Sequence, residues 1–333
     1  MILEKEIIYA GIALRKLFLS STLLMVISNQ SHPQDKQFIK YEGIISSETV
    51  MGKTGLIKKL GNLITGKDRT EIKNPVAVYA ESPESIWILS QGNGSVIYKG
   101  RSGLENLSTR FKNNTVMPSL VSLCALENNT LLFTDSYNNR IYKLSTDDKD
   151  ISIFGQGLDL GRPTGIACSP VSNEIWVVET TGHCISVLDK KGRLVKKVGK
   201  RGAGDGEFNF PSHIWVDRQG LMYIVDAMNF RVQVFNGKGE FISSFGKAGD
   251  SSGYMARPKG VATDSFGNIY VVDALFHAVQ IFDRQGKFLY SFGSQGHGEG
   301  QFWMPNGIYI DKNNYIYVSD NFNNRIQIFS LVN

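Results

Sequence analysis

The chain has 333 residues, a formal charge of +5 and a pI near 8.9. That length holds one large all-β domain plus a tail and does not by itself divide into two domains, and so mild a basic balance, while compatible with anionic partners, is not the footprint of a nucleic-acid binder. Three cysteines, Cys124, Cys168 and Cys184, cannot all pair with one another, so no disulfide framework is indicated.

Residues 1–37 lie outside the pattern that fills the rest of the chain. Within them residues 17–28 (LFLSSTLLMVIS) are an apolar run preceded by Arg15 and Lys16, a secretory signal pattern. The run is too short to cross a bilayer, and its extension back to Ile7 places Arg15 and Lys16 in the middle, where charge is costly. The expectation is export to the periplasm or exterior, with the segment cleaved after Ser28 or kept as an anchor, and with residues 29–37 as a polar linker. No cysteine stands near that point to be acylated.

Residues 38–46 (FIKYEGIIS) resemble strand phrases later in the chain, FISSFGK at 241–247 and FLYSFGS at 288–294. Residues 47–74 follow as an insert. Leu56, Leu60, Leu63 and Ile64 fall on one helical face opposite Lys58, Lys59 and Asn62, which predicts a short amphipathic helix capping the domain.

From Pro75 onward one phrase repeats. Prolines at 75, 118, 163, 211, 258 and 305 each open a unit, with spacings of 43, 45, 48, 47 and 47 residues. The unit at 258–293 (PKGVATDSFGNIYVVDALFHAVQIFDRQGKFLYSFG) has four short runs rich in Val, Ile, Tyr and Phe, separated by Asp, Asn and Gly. Such runs are strands a to d of an antiparallel meander. One such sheet has two apolar faces and needs neighbours like itself, and a period in the forties with four strands per unit is the signature of propeller blades. The last unit stops after its third strand. The fold expected is therefore an all-β, six-bladed β-propeller of four-stranded antiparallel blades over residues 38–333, the last blade closed by the N-terminal strand 38–46. Cys124 and Cys168, on innermost strands, read as small buried apolar residues.

Phrases such as DAMNFRVQVFNGKGEFISSFG (226–246) and GSQGHGEGQFWMPNGIYID (293–311) resemble the NHL repeat family, most clearly over residues 161–332. With the export segment, closure strand and helical insert, the chain resembles the bacterial extracytoplasmic six-bladed NHL-repeat proteins. The resemblance implies a propeller, often lipid-anchored, without an assigned activity. The absent lipobox cysteine is a departure from the anchored members.

An acid ends strand b and an arginine follows five residues later in three units: Asp135/Arg140, Asp226/Arg231 and Asp320/Arg325. Recurrence at one place per blade points to a structural, charge-assisted hydrogen bond that fixes a turn, since catalysis needs a single constellation. The Gly-rich links 199–208 and 293–302 join strand to strand, so they are read as flexible connections and not phosphate loops. The basic stretch 190–201 (KKGRLVKKVGKR) reads as a solvated edge strand, with an anionic envelope ligand as its more consistent partner and RNA disfavoured for lack of stacking aromatics.

In an antiparallel blade the b–c turn and the link from the previous blade open on one face. Two residues past the strand-end acid stand Tyr137, Met228, Leu275 and Phe322, with Phe230, Phe276, Trp303 and Met304 nearby. Large apolar groups at such turns predict an exposed arc around the channel mouth, a surface for a protein or amphipathic ligand. His213, two residues past Pro211, is expected at the mouth of the channel. It is the one histidine at a position otherwise held by Ala77, Leu120, Gly165, Gly260 and Gly307. A zinc site needs three or four protein ligands, and calcium needs several carboxylates, so no metal and no cofactor are expected. The leading reading is an exported, non-enzymatic propeller that binds an unknown protein or anionic envelope ligand on this face, with nucleic acid not expected and membrane association only through the N-terminal segment. The alternative is a propeller enzyme, a metal-dependent lyase or a lactonase/esterase, with its site at the channel mouth.

Overall fold

A computed structural model describes residues 38–47, 49, 70–108, 116–126 and 129–332. The predicted export segment 1–37 and the helix face of Leu56, Leu60, Leu63 and Ile64 lie outside the described residues. Six four-stranded antiparallel sheets follow one another, each in the order a-b-c-d. In the fourth blade, for example, the strands are Pro211–Val216, Met222–Asp226, Arg231–Phe235 and Phe241–Phe245. The a strand of each blade packs against the a strand of the next, and the sixth blade returns to the first, so the ring is closed around a channel. Among the described residues no helix is long and apolar enough to cross a membrane.

The reason for the ring is visible in the core. Buried apolar residues fall into six clusters, each shared by two adjacent blades. Between the last blade and the first, Ile45, Tyr317, Ile326 and Ile328 meet Val78, Ile86, Ile88 and Ile97. Both faces of every sheet are thus removed from water, and each fully buried Ile or Phe contributes about 1.5–3 kcal/mol. Glycines permit the close approach of inner strands: a Cβ on Gly165 would lie 2.7 Å from the Ile214 nitrogen, and one on Gly307 would lie 2.3 Å from the Val76 carbonyl.

The last blade takes its outer strand from the start of the domain. Phe38–Ser46 runs antiparallel to Arg325–Val332, with Ile39 opposite Leu331 and Ile45 opposite Ile326. Ile39 and Ile45 point into the core, Tyr41 stacks edge-on against Phe329 at 5.7 Å, and Ser330 Oγ donates to Glu42 Oε1 at 2.6 Å. The edge that strand c of this blade would present to solvent is therefore paired.

Candidate functional site

One face of the wheel carries both the links and the b–c turns, and backbone hydrogen bonds hold them together. Met228 N–H donates to Asn209 O (3.0 Å) and Phe322 N–H to Trp303 O (3.1 Å). In the other four blades the residue directly after the strand-end position donates to the link, Gln91 to Asn74 O, Ser136 to Ser119 O (2.9 Å), Thr180 to Arg162 O and Ala274 to Arg257 O. The Gly-rich links are not the flexible connections expected from their composition. Their chain doubles back through the bridges Arg201–Phe208, Ala248–Met255 and Gln295–Phe302, and Phe208, Met255 and Phe302 are buried as plugs. Three glutamines on strand c clamp them. Gln233 accepts from Gly206 N–H (3.0 Å) and donates to Glu207 O (2.7 Å), and Gln280 and Gln327 do the same one and two blades on.

The strand-end acids belong to this latch. Asp226 accepts from Asn209 N–H (2.7 Å), Asp320 from Trp303 N–H (2.8 Å) and Asp273 from Ala256 N–H (2.8 Å), so the carboxylate fixes the incoming link more than the turn. Arg231 pairs with Asp226 at 2.9 Å and Arg325 with Asp320 at 2.6 Å, both carboxylates fully buried. The third expected pair is a correction. No ion pair joins Asp135 to Arg140 among the described residues. Asp135 instead accepts from Tyr137 N–H (2.9 Å), Asn138 N–H (3.0 Å) and Asn138 Nδ2 (3.1 Å), and Arg140 is exposed. The matching asparagines Asn229 and Asn323 also bond their acids, and the arginines of those two blades differ in being anchored by link carbonyls as well. In the third blade Glu179 plays the acid's part with Lys197 at 2.8 Å. Burial alone would raise its carboxyl, but hydrogen bonds from Lys197, Ser186 and Gly161 outweigh it and hold it below the usual range.

With the turn backbones fixed, their side chains project outward. Tyr137 is 76% exposed, Met228 54%, Leu275 52%, Phe322 49% and Trp303 39%. Trp303 stacks edge-on with Phe322 (5.8 Å) and with His297 (5.1 Å). Phe230, Phe276 and Met304 are half-buried and line the arc from below, Phe230 packing on the core between the fourth and fifth blades. Phe210, which the turn pattern does not single out, joins the exposed set at 40%. It precedes Pro211 with φ 49°, as Met304 precedes Pro305 with φ 52°, conformations that are sparsely populated for bulky residues. Each is held by a histidine of the neighbouring turn: Phe210 N–H donates to His183 Nδ1 (3.2 Å) and Met304 N–H to His277 Nδ1 (3.1 Å).

Inside the arc lies the channel mouth, a cavity of about 310 Å³. All six residues that directly follow the blade prolines line it: Val76, Ser119, Thr164, Ser212, Lys259 and Asn306. His213 sits one layer deeper, shared by this well and an apolar chamber beyond it that contains Tyr79, Trp215 and Tyr309. It is thus a channel residue and not part of the outer arc. Burial pushes its imidazole down to about 4, so it is neutral at ordinary pH. Burial, and then the neighbouring Arg257, depress the Lys259 ammonium. Cys124 and Cys168 pack on the core between the second and third blades and also face the chamber, within hydrogen-bond reach of each other; burial raises the Cys124 thiol well above its ordinary value. Among the described residues no three His, Cys, Asp or Glu side chains stand together as metal ligands.

Several side chains of the basic stretch are engaged within the fold. Arg193 pairs with Asp189, Lys197 with Glu179 and Lys200 with Glu207, and Lys196 lies over the Trp176 ring.

A family profile described as a 6-bladed beta-propeller matches residues 166–244 and 255–333. No curated protein matches the sequence significantly. Among solved structures, the chain is similar to an auxiliary nutrient binding protein from Bacteroides thetaiotaomicron VPI-5482, with 14% identity, a TM-score of 0.63, and 79% of this chain and 70% of that one covered. It is similar to an auxiliary nutrient binding protein from Bacteroides ovatus ATCC 8483, with 12% identity, a TM-score of 0.61, and 79% and 70% covered. It is also similar to a catalytically inactive virginiamycin B lyase from Staphylococcus aureus with quinupristin, with 15% identity, a TM-score of 0.57, and 78% and 96% covered. At these identities the likeness establishes a shared propeller fold.

Proposed function

We propose that the chain is an exported, non-catalytic, NHL-type propeller that binds a protein partner through the face carrying its links and b–c turns. The observation that carries this reading is the exposed arc itself. Tyr137, Met228, Leu275, Phe322 and Trp303 come from four blades and stand 39–76% exposed on one rim, where turns ordinarily carry Gly, Asn or Thr. A rigid scaffold that displays apolar side chains around a mouth has the anatomy of a binding surface. Two fold neighbours are named auxiliary nutrient binding proteins, which is in keeping with a binding role, and the pattern of residues 1–37 supports export.

The test is a triple variant, Met228→Ser with Leu275→Ser and Phe322→Ser, in the full chain. All three side chains are about half exposed, so each change shifts stability by roughly 0.5 kcal/mol or less. Chemical cross-linking in the native cell, read by mass spectrometry, should give a defined adduct for the unaltered protein and none for the variant at equal melting temperature. An adduct that survives the triple change, or a variant that unfolds, overturns the proposal.

A further inference from the structure

The ring of post-proline residues at the channel mouth has a composition that folding does not require. Each blade sends a residue to it; Ser119, Thr164 and Ser212 bring hydroxyls and Asn306 a carboxamide, and Val121 and Arg162 line it as well. Two of the hydroxyls already pair with a turn residue behind them, Ser119 with Ser136 and Thr164 with Thr180, both at 2.7 Å. The Ser212 hydroxyl is shielded from solvent and has no hydrogen-bond partner among the described residues. The sixth member, Lys259, is half-buried in the same well, and no ion pair engages it among the described residues. A desolvated ammonium without a counter-ion and a buried hydroxyl without a partner each cost stability, and both sit in one cavity.

We propose that this mouth is a binding well for a small hydroxylated carboxylate, with the carboxylate on Lys259 Nζ and ligand hydroxyls bonded to Ser212 and Asn306. The half-buried ammonium, with the exposed Arg162 also lining the cavity, suits an anionic group, and the neutral donors and acceptors around it suit hydroxyl groups more than an apolar body. The cavity, about 310 Å³, lies at the small end of the range for small-molecule sites and is too narrow for a folded segment. The neutral imidazole of His213 forms its floor, Lys259 is the half-buried charge inside, and the exposed Arg162 also lines the cavity. The idle charge is a cost that a bound carboxylate removes, in keeping with the trade-off between stability and function at binding sites.

The experiment is isothermal titration of the full-length protein with sodium glucuronate and sodium gluconate, against neutral glucose and inorganic phosphate. The expected result is binding of at least one of the two carboxylates, with glucose weaker by about tenfold or more, the loss expected when a charge-assisted hydrogen bond is missing. Lys259→Gln should weaken the carboxylate by about tenfold or more, and Ser212→Ala by several-fold. Without ligand, Lys259→Met should melt higher than the unaltered protein, because the uncompensated charge is gone. No binding by either carboxylate, undiminished binding by Lys259→Gln, tighter binding of phosphate, or a lower melting temperature for Lys259→Met each overturn the assignment. The well and the rim arc fail separately, since the triple serine variant should bind the carboxylate as the unaltered protein does.

Discussion

Three acid–arginine pairs that look alike in the sequence should differ sharply when the arginine is removed. Arg325 is 9% exposed and donates to Asp320 (2.6 Å) and to the carbonyls of His297 (2.7 Å), Gly298 (2.8 Å) and Gln301 (2.8 Å). Arg325→Ala leaves the Asp320 carboxylate fully buried. Its bonds from Asn323, Gln327 and Trp303 survive, but no opposite charge remains. Breaking a buried pair in this way costs about 3–5 kcal/mol. Arg231, 13% exposed, ties Asp226 to Gly204 O and Glu207 O, and its removal should cost slightly less, roughly 2–4 kcal/mol. Arg140 is exposed and Asp135 is satisfied by Asn138, so Arg140→Ala should fall within about 0.5 kcal/mol of the unaltered protein. Urea denaturation of the full chain, compared at the transition midpoint, measures the ranking. Equal losses for Arg140→Ala and Arg325→Ala, or a neutral Arg325→Ala, would refute the reasoning from burial and partner geometry.

Deleting residues 38–46 should remove the buried Ile39 and Ile45, expose the edge of Arg325–Val332, and lower the urea midpoint with increased aggregation; an unchanged midpoint contradicts closure by this strand. His213 should make the fold acid-sensitive. Its imidazole stays neutral in the fold down to about 4, whereas in the unfolded chain it titrates near 6.5. The unfolded state therefore takes up a proton that the fold refuses, and stability falls as pH drops from about 6.5 to 4, by up to roughly 3 kcal/mol and less where channel water reaches the ring. His213→Gln should flatten that part of the stability–pH profile, and an unchanged slope speaks against a neutral imidazole. The raised thiol of Cys124 should make it slow to alkylate in the native protein at pH 8, and rapid labelling read by peptide mapping would contradict its burial.

The wheel was legible because its cause is repetitive: six phrases spaced by proline, each with two apolar faces, have few ways to hide them. The exposed arc was legible too, since large apolar residues at b–c turns break the usual turn chemistry. Other features were hidden for identifiable reasons. Gln233, Gln280 and Gln327 sit inside apolar strand phrases (RVQVF, AVQIF, RIQIF), and nothing in the alternation says that these buried amides reach across to clamp a link. His213 does line the mouth, but its polar neighbours there, Thr164, Ser212, Lys259 and Asn306, do not stand out in the sequence. The pairing of strand a shifts register beside its proline, between Pro211 and His213 and between Pro258 and Val261, and in the second blade Leu120, not Pro118, stands opposite the strand-end acid, so strict alternation does not give the facing of these residues. Asp135 and Arg140 are correctly spaced, but Arg231 and Arg325 are held in place by the carbonyls of a Gly-rich link as well as by the acid, and the spacing of acid and arginine does not encode that second anchor.

The central claim, that the link face is the working face, is tested most directly by photocross-linking in the native cell. A photoreactive residue placed at Met228 or Phe322 reports on that face, and one at Val171 or Phe266, exposed in a–b turns, reports on the opposite face. The account predicts a discrete adduct from Met228 and Phe322 and none from Val171 or Phe266. Adducts from the far face alone, or equally from both, would contradict it.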